Sequence, residues 1–218
     1  MGNETKLEKK ERANQIIDLL TEEYPEAKTA LKYKNPLEML VATLLSAQTT
    51  DKQVNQVTKK LFKKYKSAED YAKADLKELQ EDVRSTGFYR NKAKNLKNMG
   101  RMLIEKYNSK VPHTMEELIE LPGVARKTAN IVLSNAFGII AGVAVDTHVR
   151  RLAQRLGLTE KKNQDKIEED LMEIVPKSQW KNITDLLIFH GRRICNARKP
   201  KCDECVLNKI CPSAFTFR

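Results

Sequence analysis

The 218-residue sequence contains no apolar run that approaches the roughly 20 residues of a membrane-spanning helix. Its first residues are polar and charged, and they lack the apolar core of a secretory signal. A myristoylation signal needs Ser or Thr at position six, where this sequence has Lys6. We therefore expect a protein without a membrane partner that works inside the cell, in the cytoplasm if the source is a prokaryote.

The sequence also lacks the alternation of apolar and polar residues that is typical of a half-buried β-strand. Apolar residues recur instead at helical spacing in one segment after another. A helix-start signal stands at Asn35, Pro36 and Glu38. The apolar stripe that follows it is formed by Leu37, Leu40, Val41, Leu44 and Leu45. We therefore predict an all-α fold, without internal repeats or low-complexity segments.

Start and stop signals divide the rest of the chain into further helices. A first helix is predicted from about Glu4 to Glu23, with Leu7 on its buried side. Another opens at Asp51, and Asp75 caps the next. The remaining predicted helices run from about Tyr89 to Tyr107, from Thr114 to the following turn, from that turn towards Gly138, and then over about Val149 to Leu156, Ile167 to Ile174 and Trp180 to His190.

Acidic residues are few relative to basic ones: 29 Asp and Glu against 40 Lys and Arg leave a formal net charge of +11. Such an excess favours a polyanionic partner, and nucleic acid is the first candidate. Two stretches of the chain contain basic residues and no acidic ones. Charge alone leaves open whether these stretches bind a polyanion or are simply solvated faces. The first contains Arg84, Arg90, Lys92, Lys94, Lys97 and Arg101, and the second contains Arg192, Arg193, Arg198, Lys199 and Lys201.

All four cysteines lie between positions 195 and 211, and none occurs elsewhere in the sequence. Their spacing is Cys195-x6-Cys202-x2-Cys205-x5-Cys211. Four thiols this close together, without an export signal, favour a shared metal site over disulfides. Sites with four cysteine ligands hold either zinc or an iron–sulfur cluster, and general spacing rules do not choose between them.

The stretch from Leu121 to Asp146 combines a tight turn with polar residues that could do chemistry. Residues 121–125, Leu-Pro-Gly-Val-Ala, form a predicted apolar hairpin between two helices, and Val-Asp-Thr-His follows at 145–148. Backbone N–H groups at the start of the second helix could bind an anion such as phosphate, which carries no base sequence. If each residue is considered alone, Lys127 is expected to be a solvated surface charge, Asp146 is expected to be a helix N-cap, and Gly123 is expected to be a turn residue.

Together these motifs resemble the endonuclease III family of DNA glycosylases. The resemblance depends on Leu-Pro-Gly-Val-Ala-Arg-Lys-Thr-Ala at 121–129, on Val-Asp-Thr-His and on the six-two-five cysteine spacing, and it extends from about Ile16 to Cys211. It implies two helical lobes: a six-helix lobe with a helix–hairpin–helix over about residues 29–140, and a second lobe of residues 1–28 and 141–218. It also implies that the four cysteines at 195–211 hold a [4Fe–4S] cluster, and that DNA lies across the cleft between the lobes.

The resemblance also implies roles for individual residues. Lys127 corresponds to the amine nucleophile and Asp146 to the second catalytic residue. Gln48 would fill the gap that an extruded nucleotide leaves, and Phe88 would oppose it as an apolar wedge. Without the resemblance, Gln48 would be predicted as a surface loop residue and Phe88 as a core aromatic. The further DNA contacts that the resemblance implies are Gly123 and Ala125 in the hairpin, and Arg198, Lys199 and Lys201 along the DNA backbone.

Ala125 is a departure from the family, which usually has a second glycine at this position. If the backbone there needs a positive φ, an alanine costs about 1 kcal/mol relative to glycine. The substitution bears on how the hairpin contacts phosphate and leaves the rest of the motif intact.

The implied activity is that of a bifunctional DNA glycosylase and AP lyase of base excision repair, acting as a monomer on double-stranded DNA. The unprotonated amine of Lys127 would attack the deoxyribose, expel the base and leave a Schiff base. β-Elimination would then nick the strand 3′ to the abasic site. The implied substrates are oxidised pyrimidines, such as thymine glycol, and abasic sites.

Three alternatives remain open at the level of sequence. An adenine-type mismatch glycosylase of the same fold typically lacks the nucleophilic lysine and carries a catalytic Glu in an early helix. Here Lys127 is present, and Ser46-Ala47-Gln48 contains no Glu. A non-catalytic helix–hairpin–helix DNA-binding protein would explain the charge and the cysteines but would not require both Lys127 and Asp146. A redox carrier would use the cluster and not the hairpin.

Overall fold

A computed structural model of the protein describes residues 4–216. Residues 217–218 and residues 1–3, on which the targeting expectation partly rests, lie outside the described part. Residues 4–216 contain eleven α-helices and no β-strand, so the all-α prediction is confirmed. No helix among them is long and apolar enough to cross a bilayer. The helices are α1 (Lys6–Glu23), α2 (Pro36–Leu45), α3 (Asp51–Lys64), α4 (Ala68–Lys73), α5 (Leu76–Val83), α6 (Tyr89–Tyr107), α7 (Met115–Glu120), α8 (Arg126–Val132), α9 (Thr147–Arg155), α10 (Gln164–Ile174) and α11 (Trp180–Arg193).

The chain divides into two compact units, each with a hydrophobic core of its own. The hairpin unit comprises residues 30–141, and the cysteine unit comprises residues 1–29 and 142–218. The sequence predicts the hairpin unit at about residues 29–140, so each boundary lies one residue later in the structure than predicted. The hairpin unit contains the seven helices α2 to α8, where six were expected. The additional helix is α4, which the sequence does not predict; it has only six residues and is capped by Ser67 together with Asp70.

Side-chain caps fix most helix starts of the hairpin unit where the sequence predicts them. Asn35, Asp75 and Thr114 each accept the backbone N–H of the third residue that follows. The start of α3 at Asp51 is also as predicted, and Thr50 is its capping residue. These caps satisfy N–H groups that a helix leaves without internal partners, so they set the register of the helices that carry the site.

The longest helix of the hairpin unit, α6, begins and ends where the sequence predicts. The backbone is left-handed at both flanking residues, with φ of 47° at Phe88 and 49° at Asn108. Gly100 lies where α6 passes α4, and a Cβ there would come within 2.7 Å of the carbonyl oxygen of Ala68. Glycine at this position therefore lets the two helix backbones approach closely.

The cysteine unit is built from α1, α9, α10 and α11. Ile16 and Leu20 of α1 are fully buried in its core. The prediction that Leu7 lies on the buried side of α1 is wrong, because its side chain is 66% exposed. Leu7 belongs to the first turn of α1, and the buried stripe begins only at Ala13. At the other end of the unit, α11 continues three residues past its predicted end to Arg193.

Candidate functional site

The predicted helix–hairpin–helix is present, with α7 and α8 on either side of a tight turn. In the turn, the N–H of Val124 donates to the carbonyl oxygen of Leu121 at 3.0 Å. Gly123 has a φ of 82°, and a Cβ there would lie 2.5 Å from Nδ2 of Asn95 in α6. Only glycine meets both conditions, the left-handed backbone and the close approach. The turn therefore sits directly on α6.

Ala125 is the residue before α8 and has φ of −93° and ψ of 167°. This extended conformation is open to any residue, so the cost of about 1 kcal/mol that a positive φ would bring does not arise. Alanine has no side-chain oxygen, and no side chain caps α8 at this position. The N-cap side chain therefore does not compete with a bound anion for the first turn of α8.

Lys127 is the second residue of α8 and is half-buried. The next two residues, Thr128 and Ala129, are buried, so the core anchors the turn that carries the lysine. After α8 the chain continues through a π-helical turn over Leu133–Phe137. The helical segment ends at Gly138, which has φ of 68° and is the predicted stop. Lys127 thus projects from a fixed first turn at the margin of the core.

Asp146 lies in the cysteine unit and is the N-cap residue of α9. Its Oδ1 accepts the backbone N–H groups of His148 and Val149, both at 2.8 Å. The N-cap role that the sequence predicts for this residue alone is therefore real. Both cap hydrogen bonds use Oδ1, so the cap itself makes no demand on Oδ2. A single carboxylate can thus fix the start of α9 and present its second oxygen to a substrate.

Gln48 and Phe88 share an unusual backbone conformation. Both are non-glycine residues in the left-handed region, with φ of 54° at Gln48 and 47° at Phe88. Residues other than glycine seldom adopt this conformation, and it is often found at functional sites. Gln48 is exposed in a loop, and the Phe88 side chain is 64% exposed. The alternative of Phe88 as a core aromatic is therefore wrong, because its ring faces solvent from the turn before α6.

Lys92 differs most from its expected place. The sequence groups it with the basic residues of a solvated or polyanion-binding stretch, but the structure buries it to 7% exposure. Burial lowers the pKa of Lys92 to about 8. The amine is therefore still charged at neutral pH, inside the hairpin unit and away from its surface.

The four cysteines line one cavity in the cysteine unit, and all four are half-buried. Apolar side chains such as Leu152 and Leu207 complete much of its wall. Within residues 4–216 no three Cys, His, Asp or Glu side chains are grouped around a point, as a single bound ion requires. Thiols that surround a space fit a multi-atom iron–sulfur core, which is held by four cysteines.

A buried histidine next to the thiols was not anticipated from the sequence. The Nε2 of His190 lies 3.2 Å from Sγ of Cys205, and its Nδ1 lies 2.9 Å from the hydroxyl of Tyr24. Burial lowers the pKa of His190 to about 4, so the ring is neutral at neutral pH. A neutral imidazole has one N–H group. The ring therefore donates to one of its two neighbours, the Tyr24 hydroxyl or the Cys205 sulfur, and can accept from the other.

Two arginines of α9 hold the start of the cysteine loop. Arg155 donates through Nη1 to the carbonyl oxygen of Asn196 at 2.7 Å and approaches Sγ of Cys195 at 3.3 Å. Arg151 donates through Nη2 to the carbonyl oxygen of Cys195 at 3.0 Å. The only sequence signal for this pair is that the two residues lie one helical turn apart, which is too common to single them out.

The basic residues at 192–201 are not uniformly available to a polyanion. Arg198 and Lys199 are exposed on the loop between the first two cysteines. Lys201, however, forms an ion pair with Glu204 at 3.2 Å, and Arg193 pairs with a glutamate of the N-terminal segment at 3.4 Å. Acidic residues from other parts of the sequence therefore lie close to this stretch. Arg198 and Lys199, which are exposed, are its most accessible residues for a polyanion.

Comparison with known proteins gives consistent matches along the chain. Residues 41–177 match the HhH-GPD superfamily of base excision DNA repair proteins, and residues 195–211 match the iron–sulfur binding domain of endonuclease III. The chain is 53% identical to endonuclease III of Synechocystis sp., over 94% of each of the two chains.

Two solved structures match with the same scores. One is described as a non-covalent endonuclease III–DNA complex and the other as a trapped endonuclease III–DNA covalent intermediate with an estranged adenine. Each has a TM-score of 0.91 and 44% identity, and each match covers 95% of this chain and 97% of the other. With a family model over more than half of its length and a close relative along nearly all of it, this chain belongs to the endonuclease III family and is a base-excision-repair DNA glycosylase and AP lyase that carries a [4Fe–4S] cluster.

Proposed function

We propose that this enzyme excises oxidised pyrimidines from double-stranded DNA through a Schiff base on Lys127, and that the same site nicks the strand at abasic positions. The observation that carries the proposal is the place of Lys127, in the first turn of α8 directly after the turn that Gly123 seats on α6. One matched relative is described as a trapped covalent intermediate with DNA. A covalent intermediate of this kind requires a nucleophile on the protein, and Lys127 is positioned to supply it.

The chemistry begins once the damaged nucleotide has left the stack, because no side chain reaches its sugar inside a duplex. The unprotonated amine of Lys127 attacks C1′, and the glycosidic bond breaks with its electron pair leaving on the base. Opening of the sugar ring then gives the Schiff base. Loss of a proton from C2′ lets the C3′–O bond break, and its electron pair leaves with the 3′ phosphate. The sequence thus consists of a displacement, a ring opening and an elimination with accompanying proton transfers, and it needs no oxidant or reductant.

Asp146 supports this sequence through its second oxygen. Oδ1 is held by two backbone N–H groups of α9, which fixes the orientation of the carboxylate. A fixed negative charge stabilises the positive charge that develops on the sugar as the base departs. The same carboxylate assists proton transfer to or from the reacting groups.

Gln48 and Phe88 act on the duplex and not on the bond that breaks. Both are exposed residues with a left-handed backbone in the hairpin unit. Gln48 enters the gap that the extruded nucleotide leaves, and Phe88 acts as an apolar wedge opposite it. Insertion of this kind offsets part of the few kcal/mol that extrusion of a nucleotide costs.

The DNA backbone is held at two places. The backbone N–H groups near Gly123 and Ala125 contact phosphate at the hairpin, where no N-cap side chain competes. Arg198, Lys199 and Lys201 contact the phosphates from the cysteine loop, with Lys201 the weakest of the three because of its ion pair with Glu204. Neither group reads base sequence, so the lesion is recognised by extrusion and not by flanking sequence.

The four cysteines are the proposed ligands of the [4Fe–4S] cluster. They line one cavity, and His190, Arg151 and Arg155 contact the cysteines or their backbone. When bound, the cluster contributes a fixed loop geometry and local electrostatics, and the bond-breaking chemistry belongs to Lys127 and Asp146. We also propose that the enzyme acts as a monomer. For a DNA substrate we further propose that it works in the cytoplasm, at the nucleoid, if the source is a prokaryote.

Lys127→Gln should abolish both covalent trapping by borohydride on an abasic duplex and strand nicking, because no amine remains to form the Schiff base. DNA binding measured by fluorescence anisotropy should persist. The matched control is Arg126→Gln, which removes the same charge from the preceding position of α8 and should keep trapping. Undiminished trapping by Lys127→Gln would assign the nucleophile to another residue.

Asp146→Asn should preserve the fold and slow single-turnover base release by roughly a hundredfold or more. Asparagine caps a helix about as well as aspartate, so the thermal midpoint should change little while the negative charge is lost. The measurement pairs thermal unfolding with single-turnover kinetics. A base-release rate close to that of the wild type would leave Asp146 as an N-cap only.

Neutralising Arg198 and Lys199 together with glutamine should reduce the salt dependence of DNA binding. Each phosphate contact contributes about −0.9 to the slope of log K against log salt, so the pair should flatten the slope by roughly two. The preference between lesions should stay unchanged. A control with Lys73→Gln and Lys77→Gln removes the same charge from exposed helical positions elsewhere. Equal slopes for the two double variants would contradict the proposed loop contact.

Excision of thymine glycol should be far faster than excision of adenine opposite 8-oxoguanine. A damaged pyrimidine has lost aromatic stacking and is easier to extrude, whereas adenine is fully stacked and needs an acid to become a good leaving group. No Glu stands beside Gln48 to supply that acid. Single-turnover release on both duplexes, at equal enzyme and salt, measures the ratio. Comparable rates would favour the adenine-type alternative.

A further inference from the structure

Lys92 is buried in the hairpin unit with every one of its hydrogen-bond acceptors uncharged. Its Nζ donates to the carbonyl oxygens of Leu45 at 2.8 Å, Ala47 at 2.8 Å and Thr86 at 2.7 Å, and to Oγ1 of Thr49 at 2.9 Å. An ammonium has three protons, so the four oxygens share them. The side chain therefore joins segments that lie far apart in the sequence.

These acceptors belong to the two segments that carry the proposed DNA-inserting residues. Ala47 and Thr49 flank Gln48, and they lie in what we term the Gln48 loop, residues 46–50. Thr86 ends a short 3-10 helix two residues before Phe88, in what we term the Phe88 turn, residues 86–88. One buried charge thus contacts both segments at once.

Further hydrogen bonds brace the same junction. The hydroxyl of Thr49 also donates to the carbonyl oxygen of Thr86, which links the loop to the turn directly. The side-chain amide of Gln53 in α3 donates to Oγ of Ser85 at 2.7 Å. The backbone N–H of Lys92 itself donates to the carbonyl oxygen of Phe88 at 3.1 Å. Lys92 therefore holds the Phe88 turn through its backbone and its side chain.

Burial of a charge among neutral oxygens is a poor way to gain stability alone. A protein is often equally stable or more stable when apolar side chains of similar volume replace buried charged groups. Burial lowers the pKa of Lys92 to about 8, which reflects the unfavourable desolvation of its charge. The strained backbone of Gln48 and Phe88 likewise persists only where surrounding contacts enforce it. A shared ammonium meets that need, because carbonyl oxygens on both segments point at the same donor.

We propose that Lys92 is a positioning residue that holds the Gln48 loop and the Phe88 turn at a fixed spacing, so that Gln48 and Phe88 enter the DNA together when a nucleotide is extruded. The inference rests on the proposed function of Gln48 and Phe88. Lys92 touches neither the base nor the reacting sugar. It acts through the backbone of the two segments, and its effect falls on extrusion and not on the Schiff-base chemistry.

The test compares Lys92→Met, which keeps side-chain length and removes the charge and the donors, with Lys77→Met. The control removes the same charge from an exposed position of α5. Lys92→Met should slow single-turnover excision on a thymine glycol duplex by on the order of ten- to a hundredfold. It should also reduce the fluorescence rise of 2-aminopurine placed beside the lesion, which reports extrusion. Lys77→Met should leave both signals as in the wild type.

Trapping on a preformed abasic duplex separates positioning from a general structural role. An abasic nucleotide has no base to unstack, so trapping by Lys92→Met should stay within about threefold of the wild type. The conservative variant Lys92→Arg should recover much of the excision rate, because it retains the charge and several donors. If excision and trapping fall equally, or if arginine rescues nothing, Lys92 only stabilises the fold and the inference is wrong.

Variants of Gln48 and Phe88 show whether a negative result contradicts the positioning role of Lys92 or the proposed insertion of these two residues into DNA. Gln48→Ala combined with Phe88→Ala should slow excision, and adding Lys92→Met to that pair should slow it little further, because residues that act as one unit are not additive. If the alanine pair leaves excision unchanged, the proposed insertion itself fails. If the alanine pair slows excision while Lys92→Met behaves like Lys77→Met, insertion stands and the positioning role is overturned.

Thr49→Val provides a second route if Lys92→Met does not fold. Valine has nearly the shape of threonine and removes only the hydroxyl that contacts both Lys92 and the carbonyl oxygen of Thr86. It should reduce excision and the 2-aminopurine signal in the same direction as Lys92→Met, by a smaller factor, and spare abasic-site trapping. Wild-type excision by this variant, in protein of unchanged thermal midpoint, would contradict the inference.

Discussion

The close packing of Gly123 against α6 is the constraint on which the hairpin unit depends. A Cβ at this position would lie 2.5 Å from Nδ2 of Asn95, so the turn before α8 packs against α6 without space for a larger residue. The first turn of α8, and Lys127 with it, is positioned by that contact. The same helix also carries Lys92 one turn before Asn95, and Phe88 immediately precedes it. Lys92 and Asn95 are three residues apart in the helix, so they share one side of α6.

The same arrangement bears on the unusual backbone of Gln48 and Phe88. Left-handed conformations occur at Gln48 and Phe88, where residues other than glycine adopt them at a cost. The contacts that enforce these conformations come from α6 and from the end of α2. Lys92 of α6 thus contacts the backbone of both exposed segments from the core side. Rigid helices that carry strained loops are a common basis for precise functional sites.

Much of this could be read from the sequence, because the informative features are local. The turn at 121–125, the cap at Asn35 and the cysteine spacing depend on neighbours within a few positions, and residues 4–216 contain the helices that those signals predict. These local signals alone do not distinguish the glycosylase and lyase from the adenine-type, non-catalytic and redox alternatives. The match to endonuclease III along nearly the whole chain identifies the protein as a glycosylase and lyase.

Other features could not be predicted from the sequence, because they depend on backbone atoms that every residue has or on residues far apart in the chain. Lys92 lies in a basic stretch and would be expected at the surface, but its acceptors are mostly backbone carbonyls, which every residue has. His190 meets Tyr24 across 166 positions of the chain, and no local pattern marks either residue. Leu7 fits a helical stripe and is nevertheless exposed, because helical spacing does not say where the core begins.

One consequence follows from the two ends of α9. Its N-cap is the proposed catalytic carboxylate Asp146, and its last residue, Arg155, donates to the backbone and sulfur of the cysteine loop. The helix has nine residues and is therefore only about 13 Å long. A displacement of the cysteine loop would act on the C-terminal end of this short helix, and the Asp146 carboxylate lies at its N-terminal end. The orientation of the carboxylate and the position of the first cysteine thus depend on opposite ends of the same short helix, although the two groups serve different chemistry.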